Sequence, residues 1–281
     1  MRSKLFVPAI RVELFKKALG SGADALCFDL EDSVKPEARP EARAHLETFL
    51  ANQTPGSPLL LVRTNAVASS DFRLDIASAV WPSTFAIALP KVESAEDIWQ
   101  AEKLIAPLEL ERGVATPLGI LPTIESPRGL RLAAEIACAS TRVIGLQMGL
   151  ADLLEPMGIA RSNAFACDQI RLTLRLAAAE ADLDCYDSAF PDFKNPAAYQ
   201  QQLDAARALG FAGVSCIHPG QIEQANRTFT PTAEELADAR QIVAAAKLAA
   251  ERGDAVTSID GRMIDRPFVL AAQRLLGRNS S

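Results

Sequence analysis

Short runs of aliphatic and β-branched residues alternate along this chain with longer stretches whose apolar positions recur every three or four residues. The short runs read as buried strands over Lys4–Pro8, Ala25–Leu30, Leu59–Arg63, Phe85–Pro90, Leu118–Ile124, Val143–Gln147, Asp184–Ala189 and Gly213–Ile217. The longer stretches read as amphipathic helices over Val12–Leu19, Pro40–Leu50, Ala95–Ile105, Pro127–Ala137, Cys167–Glu180 and Ala197–Leu209. Strands separated by helices pair in parallel, and this set predicts an α/β fold closed into a (β/α)8 barrel of the TIM type over residues 1–230. Residues 231–281 lie beyond the eighth strand. They read as a long helix (Thr232–Arg252), a break at Gly253-Asp254, a loop and a last helix from Pro267. Together they are expected to form a helical lid that belongs to the same structural unit.

With 281 residues, 49% of them apolar, the chain can bury one large core. Its net charge is −6, and the interspersed acidic and basic residues leave no basic stripe to neutralise a phosphate backbone. Nucleic acid is therefore not an expected partner. The apolar run near the N-terminus is too short for a signal peptide, and no later run reaches the roughly 20 residues that cross a bilayer. A cytoplasmic protein without a membrane partner is expected. Cys27, Cys138, Cys167, Cys185 and Cys216 form no C-x-x-C pair and are expected as reduced thiols in a core. With His45 and His218 as the only histidines, a multi-histidine metal site is excluded. A metal here would be a hard cation on oxygen ligands, Mg²⁺ or Mn²⁺. Neither a G-x-G-x-x-G turn nor a P-loop occurs.

Polar residues collect where the strands end. In a β/α barrel those ends converge on one mouth, so residues distant in sequence become neighbours. Asp29-Leu30-Glu31-Asp32 close strand two, Arg63-Thr64-Asn65 strand three, Lys91-Val92-Glu93 strand four and Glu125-Ser126 strand five; Asp152 follows strand six and His218-Pro219 strand eight. Glu125 and Asp152 stand about one β/α unit apart. They can share a divalent ion and leave positions open for water and substrate oxygens, or each can cap the helix after it. Arg63 offers a bidentate fork to a carboxylate or a developing oxyanion, or pairs with Glu31 or Asp32. Lys91 can form a Schiff base, although its acidic surroundings favour an ion pair. His218 can donate to a ligand or, as its turn into Pro219 favours, satisfy the backbone. His45 reads as surface.

Eight segments together resemble one family: RSKLFVP at the start, GADALCFDLEDSV at Gly22–Val34, LLVRTN at Leu60–Asn65, ALPKVES at Ala88–Ser94, TIESPRGL at Thr123–Leu130, GLADL at Gly149–Leu153, CIHPGQ at Cys216–Gln221 and DGRMIDRP at Asp260–Pro267. In order and over nearly the whole chain they are similar to the citrate lyase β-chain family of the HpcH/HpaI aldolase superfamily, whose relatives include malyl-CoA and citramalyl-CoA lyases. The resemblance implies that Glu125 and Asp152 bind Mg²⁺, and that Arg63 holds the substrate's carboxylate and carbonyl oxygens. It implies that Asp265 acts as acid or base, often at the site of a neighbouring subunit, and that Phe6, Arg11 and Lys17 contact CoA. Glu31, Asp32, Lys91 and His218 are expected to support these groups from behind. One departure is Ala9-Ile10, where many relatives continue with glycine and a small polar residue.

The activity so implied is a carbon–carbon lyase that cleaves, or forms, a 3-hydroxyacyl-CoA dicarboxylate such as citramalyl-CoA or malyl-CoA, giving acetyl-CoA and a 2-oxo acid. A homotrimer or hexamer is the implied assembly. Two other readings stay open: the β subunit of a citrate lyase complex acting on an acyl-carrier-protein thioester, and a non-catalytic acyl-CoA-binding or regulatory protein.

Overall fold

The computed structural model describes residues 1–280, with side chains through Gly277. Eight parallel strands close into a barrel in chain order: β1 (Ser3–Pro8), β2 (Ala25–Asp29), β3 (Leu59–Arg63), β4 (Thr84–Leu89), β5 (Gly119–Ile124), β6 (Leu146–Met148), β7 (Cys185–Asp187) and β8 (Gly213–Cys216). The seam is closed by β8 against β1, with Ser215 opposite Lys4. The outer helices of this unit are α1 (Val12–Leu19), α2 (Arg39–Ala51), α3 (Phe72–Ala79), α4 (Ala95–Glu111), α5 (Pro127–Arg131), α6 (Ala133–Ala137), α7 (Leu150–Leu154), α8 (Ala164–Glu180) and α9 (Pro196–Ala208). The (β/α)8 architecture expected from the pattern is the one observed.

Alternation along each strand sends every second side chain inward. Ala25, Cys27, Leu61, Ala86, Ala88, Leu121 and Tyr186 form the buried cluster of the barrel interior. The opposite faces meet the helices, as where Phe15 of α1 and Phe49 of α2 stack edgewise with Phe28 of β2 at ring distances of 4.8 to 5.1 Å.

Several elements differ from expectation, each for a local reason. The helix α3 is absent from the apolar pattern because it buries a carboxylate, Asp75, which accepts from Arg43 at 3.0 Å and from the Asn65 backbone at 2.7 Å. The helix α4 runs past Pro107 to Glu111, and its added turn buries Glu109 between Arg142 and the Leu118 N–H. The stretch Pro127–Ala137 breaks at Leu132 into α5 and α6. Val143 keeps an isolated bridge to Ile120, and β6 starts only after Gly145, where a Cβ would stand 2.9 Å from the Asp184 carbonyl. Cys138 is exposed, which corrects its expected place in a core; the other four thiols are buried.

Contacts divide the chain into two compact units, Met1–Arg227 and the part from Thr228 onward. The second holds α11 (Ala233–Glu251) and α12 (Arg266–Ser280), preceded by α10 (Ile222–Phe229) at the division. Between α11 and α12 the expected loop is a β-hairpin, β9 (Thr257–Ile259) with β10 (Arg262–Ile264). Its turn is Asp260-Gly261, both left-handed at φ 48 and 79, the geometry an Asp-Gly pair favours. Ala239, Ile242, Ile264 and Ala272 form this unit's core. Among the described residues no helix is long and apolar enough to cross a membrane.

Candidate active site

The sheet register decides which side chains reach the mouth. Asp29 ends β2, Arg63 ends β3, and the two are direct cross-strand partners. They continue the inward series Ala25, Cys27, Asp29 and Leu59, Leu61, Arg63, whose earlier members line the interior. Arg63 Nε and Nη2 donate to the two oxygens of Asp29 at 2.7 and 2.8 Å. Its Nη1 donates to Asp32 at 3.1 Å and lies 2.9 Å from Glu31 Oε2 outside hydrogen-bond alignment. Burial opposes charge on both members of the Asp29–Arg63 pair, but the bidentate contact outweighs it. The Asp29 carboxyl is held below its ordinary range and the Arg63 guanidinium above its own.

Glu125 follows β5 and is buried. Its Oε1 accepts from the Lys91 backbone N–H at 2.6 Å. Lys91 makes that contact in a left-handed conformation, φ 52, which costs a non-glycine residue about 1–2 kcal/mol. The same residue sends Nζ to Glu31 Oε1 at 2.6 Å, so one strained position ties two carboxylates together. Glu125 lies against Gly149, where a Cβ would stand 2.5 Å from Glu125 Oε2; only glycine leaves that space. Gly149 opens α7, whose first turn carries the exposed Asp152. Burial pushes the Glu125 carboxyl up to about 7; the Lys91 N–H pulls it down, Asp152 and Glu31 push it further up, and Arg63 opposes them. Burial raises Glu31 as well, against the pull of Arg63 and Lys91. Neither Glu125 nor Asp152 is a helix cap: Ser126 accepts the Gly129 N–H at the start of α5, and Asp152 lies within α7.

The mouth thus brings together Arg63, Glu31, Asp32, Lys91, Glu125 and Asp152. Phe6 joins them through its ring, 4.9 Å from Arg63 Cζ. Arg11 and Lys17 do not join: Arg11 pairs with Glu13 and is exposed, and Lys17 is exposed in the last turn of α1. His218 caps the turn after β8 by accepting the Gly220 N–H at 3.0 Å and stacks on Phe193 at 4.7 Å. Asp265 lies in the second unit, where its Oδ1 is buried without a hydrogen-bond partner. Sequence reasoning placed Asp29 at the end of strand two but expected Glu31 or Asp32, not Asp29, as the partner of Arg63. The signal was present in strand parity, since Asp29 and Arg63 end adjacent strands on the same inward face.

The family model for HpcH/HpaI aldolase/citrate lyase matches residues 2–219. The chain belongs to this family. It is 34% identical to the citrate lyase subunit beta of Leuconostoc mesenteroides subsp. cremoris over 98% of this chain and 92% of that one. It is 32% identical to a (3S)-malyl-CoA thioesterase of Cereibacter sphaeroides over 99% of this chain and 94% of the relative. Among solved structures it resembles CitE from Mycobacterium tuberculosis in complex with magnesium, acetoacetate and coenzyme A, with a TM-score of 0.75, 29% identity and complete coverage of both chains. Membership makes this chain an enzyme, a carbon–carbon lyase of the family.

Within that family frame, the donor chemistry of the mouth is one-sided. Five carboxylates, Asp29, Glu31, Asp32, Glu125 and Asp152, face two cations, Arg63 and Lys91. No cluster of three or more His, Cys, Asp or Glu side chains arranged for a metal occurs among the described residues. Asp152 is near enough to Glu125 for its charge to push the Glu125 carboxyl up, and two oxygen donors that leave positions for water and substrate suit a hard divalent cation.

Proposed function

We propose that this enzyme is a Mg²⁺-dependent lyase that cleaves a 3-hydroxyacyl-CoA dicarboxylate to acetyl-CoA and a 2-oxo acid. The observation that carries the reading is the surplus of carboxylate at the mouth. Glu125, buried and pushed up to about 7 beside Asp152 and Glu31, is a ligand site whose charge a divalent cation would balance. Glu125 and Asp152 would hold that cation, which supplies Lewis-acid polarisation of the substrate's oxygens. The likeness to CitE, solved with magnesium and coenzyme A, supports the same assignment.

The chain's own residues have separate tasks. Arg63, fixed by Asp29, presents its remaining Nη2 hydrogen to the acid's carboxylate. Cleavage removes the proton of the 3-hydroxyl, breaks the bond between the carbinol carbon and the thioester α-carbon, and returns a proton to that α-carbon. Asp265 moves the proton in this scheme. Phe6, Arg11 and Lys17 contact the CoA thioester, while Glu31, Asp32 and Lys91 hold Arg63 and Glu125 in place and His218 shapes the rim. A homotrimer or hexamer, in which Asp265 serves a neighbouring mouth, is part of the proposal; an active monomer in light scattering would rule it out.

The test is the pair Glu125→Ala and Asp152→Ala. Each is expected to lose at least about 10²-fold in Mg²⁺-dependent cleavage, the scale of several kcal/mol of charge stabilisation. Normal turnover by both variants after EDTA treatment would reject the metal assignment. A second reading, the β subunit of a citrate lyase acting on an acyl-carrier-protein thioester, is favoured by the identity to citrate lyase β subunits and is separated by co-purification with a carrier protein. A non-catalytic acyl-CoA binder would not need Arg63, Glu125, Asp152 and Asp265 together.

A further inference from the structure

The barrel strands do not pair equally around the ring. β2 and β3 pair along their whole lengths, from Ala25 with Leu59 to Asp29 with Arg63, whereas β6 and β7 pair only at Leu146 with Cys185 and Gln147 with Tyr186. The β6–β7 ladder therefore stops one residue short of Met148 and Asp187, with which the two strands end. Directly beyond Met148 come Gly149, against which Glu125 lies, and the first turn of α7 with Asp152. The residues assigned to the metal thus stand on a sparsely paired part of the barrel.

The Gln147 side chain supplies the missing link. Gln147 shares the inward face of its register partner Tyr186, and its Nε2 donates to the carbonyls of Met148 at 3.0 Å, Tyr186 at 3.2 Å and Asp187 at 2.8 Å. The amide so joins the ends of β6 and β7 where their backbones no longer pair. Its Oε1 accepts from Lys4 Nζ at 2.8 Å and from Ser215 Oγ at 3.2 Å. An ammonium offers donors and no acceptor, so Lys4 requires the amide oxygen on its own side and turns Nε2 toward the carbonyls. Lys4 and Ser215 are register partners across the β1–β8 seam, which anchors the amide to the opposite wall. A buried ammonium held by neutral partners costs stability, so a core selected for stability alone would not contain it. We propose that Gln147 is a positioning residue for the Glu125–Asp152 site, anchored by Lys4 across the barrel. The strut fixes the turn Gly149–Asp152 and with it the placing of Asp152 relative to Glu125. The inference rests on the metal assignment above and adds what holds that site in shape.

Lys4→Met, Gln147→Met and the double variant would be compared with the wild type. The double variant removes the charge together with the amide, so it leaves no ammonium without an acceptor should Gln147→Met alone fail to fold. Three quantities are measured: urea unfolding, calorimetric titration with Mg²⁺ alone, and hydrogen exchange of the metal-free proteins. Exchange is read at the Gly149 and Leu150 amides, which donate to the Ile124 carbonyl at 3.0 Å and to Ser188 Oγ at 3.2 Å. In the double variant Mg²⁺ affinity should fall about ten- to a hundredfold, the scale for groups that orient metal ligands, and Gly149 and Leu150 should exchange faster while β2 and β3 exchange as in the wild type. Lys4→Met should bind Mg²⁺ more weakly yet resist urea better, a split that a merely structural role does not produce. Unchanged Mg²⁺ affinity, or unchanged exchange at Gly149 and Leu150, in the double variant overturns the strut. So does exchange that quickens equally along β2 and β3, which would make the network a general support of the barrel. A wild type that takes up no Mg²⁺ rejects the metal assignment itself, and exchange at Gly149 and Leu150 then still decides whether Gln147 fixes the turn.

Discussion

Two cations lean on one ring and are treated in opposite ways. Arg63 Cζ lies 4.9 Å and Lys4 Nζ 5.4 Å from the Phe6 centroid. By sheet register Arg63 stands two residues nearer the mouth than the level of Phe6, and Lys4 two residues deeper. Arg63 is ringed by Asp29, Glu31 and Asp32. Lys4 is buried in the barrel, and its hydrogen-bond acceptor is an amide, Gln147 Oε1 at 2.8 Å, shared with Ser215 Oγ at 3.2 Å. Burial lowers the Lys4 pKa to about 8, Cys27 and Cys216 oppose that, and Arg63 adds to it. Charge at the mouth is therefore compensated and fixed, whereas charge at the floor is tolerated at a cost to stability.

The largest expected effect comes from breaking the compensated pair. Asp29→Asn leaves Arg63 buried with one partner made neutral, a change that typically costs about 3–5 kcal/mol. Urea unfolding should show that loss, and kcat/KM should fall at least about tenfold as Arg63 loses its orientation. Unchanged stability would mean that Glu31 and Asp32 alone hold the guanidinium.

The floor should respond in the other direction. Below about pH 8 both folded and unfolded chains carry the Lys4 proton, and the burial penalty is fully present. Between about 8 and 10.5 the unfolded chain binds more protons, so the Lys4 contribution makes stability rise with pH; above that window the gain is complete. Lys4→Met should raise stability at pH 7 by about 3 kcal/mol, the cost of holding an ammonium whose pKa burial lowers from 10.5 to about 8, and should flatten that rise. Equal pH profiles for the two proteins would show that the ammonium is better solvated than its burial implies.

The same contrast explains what was legible in the sequence. Barrel strands were readable because their faces are buried on both sides, and the ends of β2, β3 and β5 were readable because charge interrupts an apolar run there. Lys4 and Gln147 were not. Both sit inside strands, and their meeting depends on barrel closure, which lets the Lys4 side chain of β1 reach within 2.8 Å of the Gln147 side chain of β6 although the two strands are not paired. The helix α3 was hidden by its buried Asp75. The β9–β10 hairpin carries a turn signal in Asp260-Gly261, but its strands, Thr257–Ile259 and Arg262–Ile264, are too short to show a strand period. Pattern reading succeeds where burial follows hydrophobicity and fails where a polar group is buried with its partner.

A water-exposed pair gives the baseline for judging both buried ones. At the start of α11 the Thr232 hydroxyl accepts the Glu235 N–H at 3.1 Å, and Glu235 Oε2 accepts the Thr232 N–H at 2.7 Å. These groups lie near solvent, so water replaces whatever a substitution removes, and Thr232→Ala should cost only about 1 kcal/mol. Thermal unfolding together with hydrogen exchange along α11 would measure it. The loss should concentrate in the first turn of that helix, because a cap acts on the N–H groups that the helix itself leaves unpaired. If instead Thr232→Ala cost as much as Asp29→Asn, burial would not be what sets the worth of a polar pair here, and the account of Arg63 and Lys4 would fail with it.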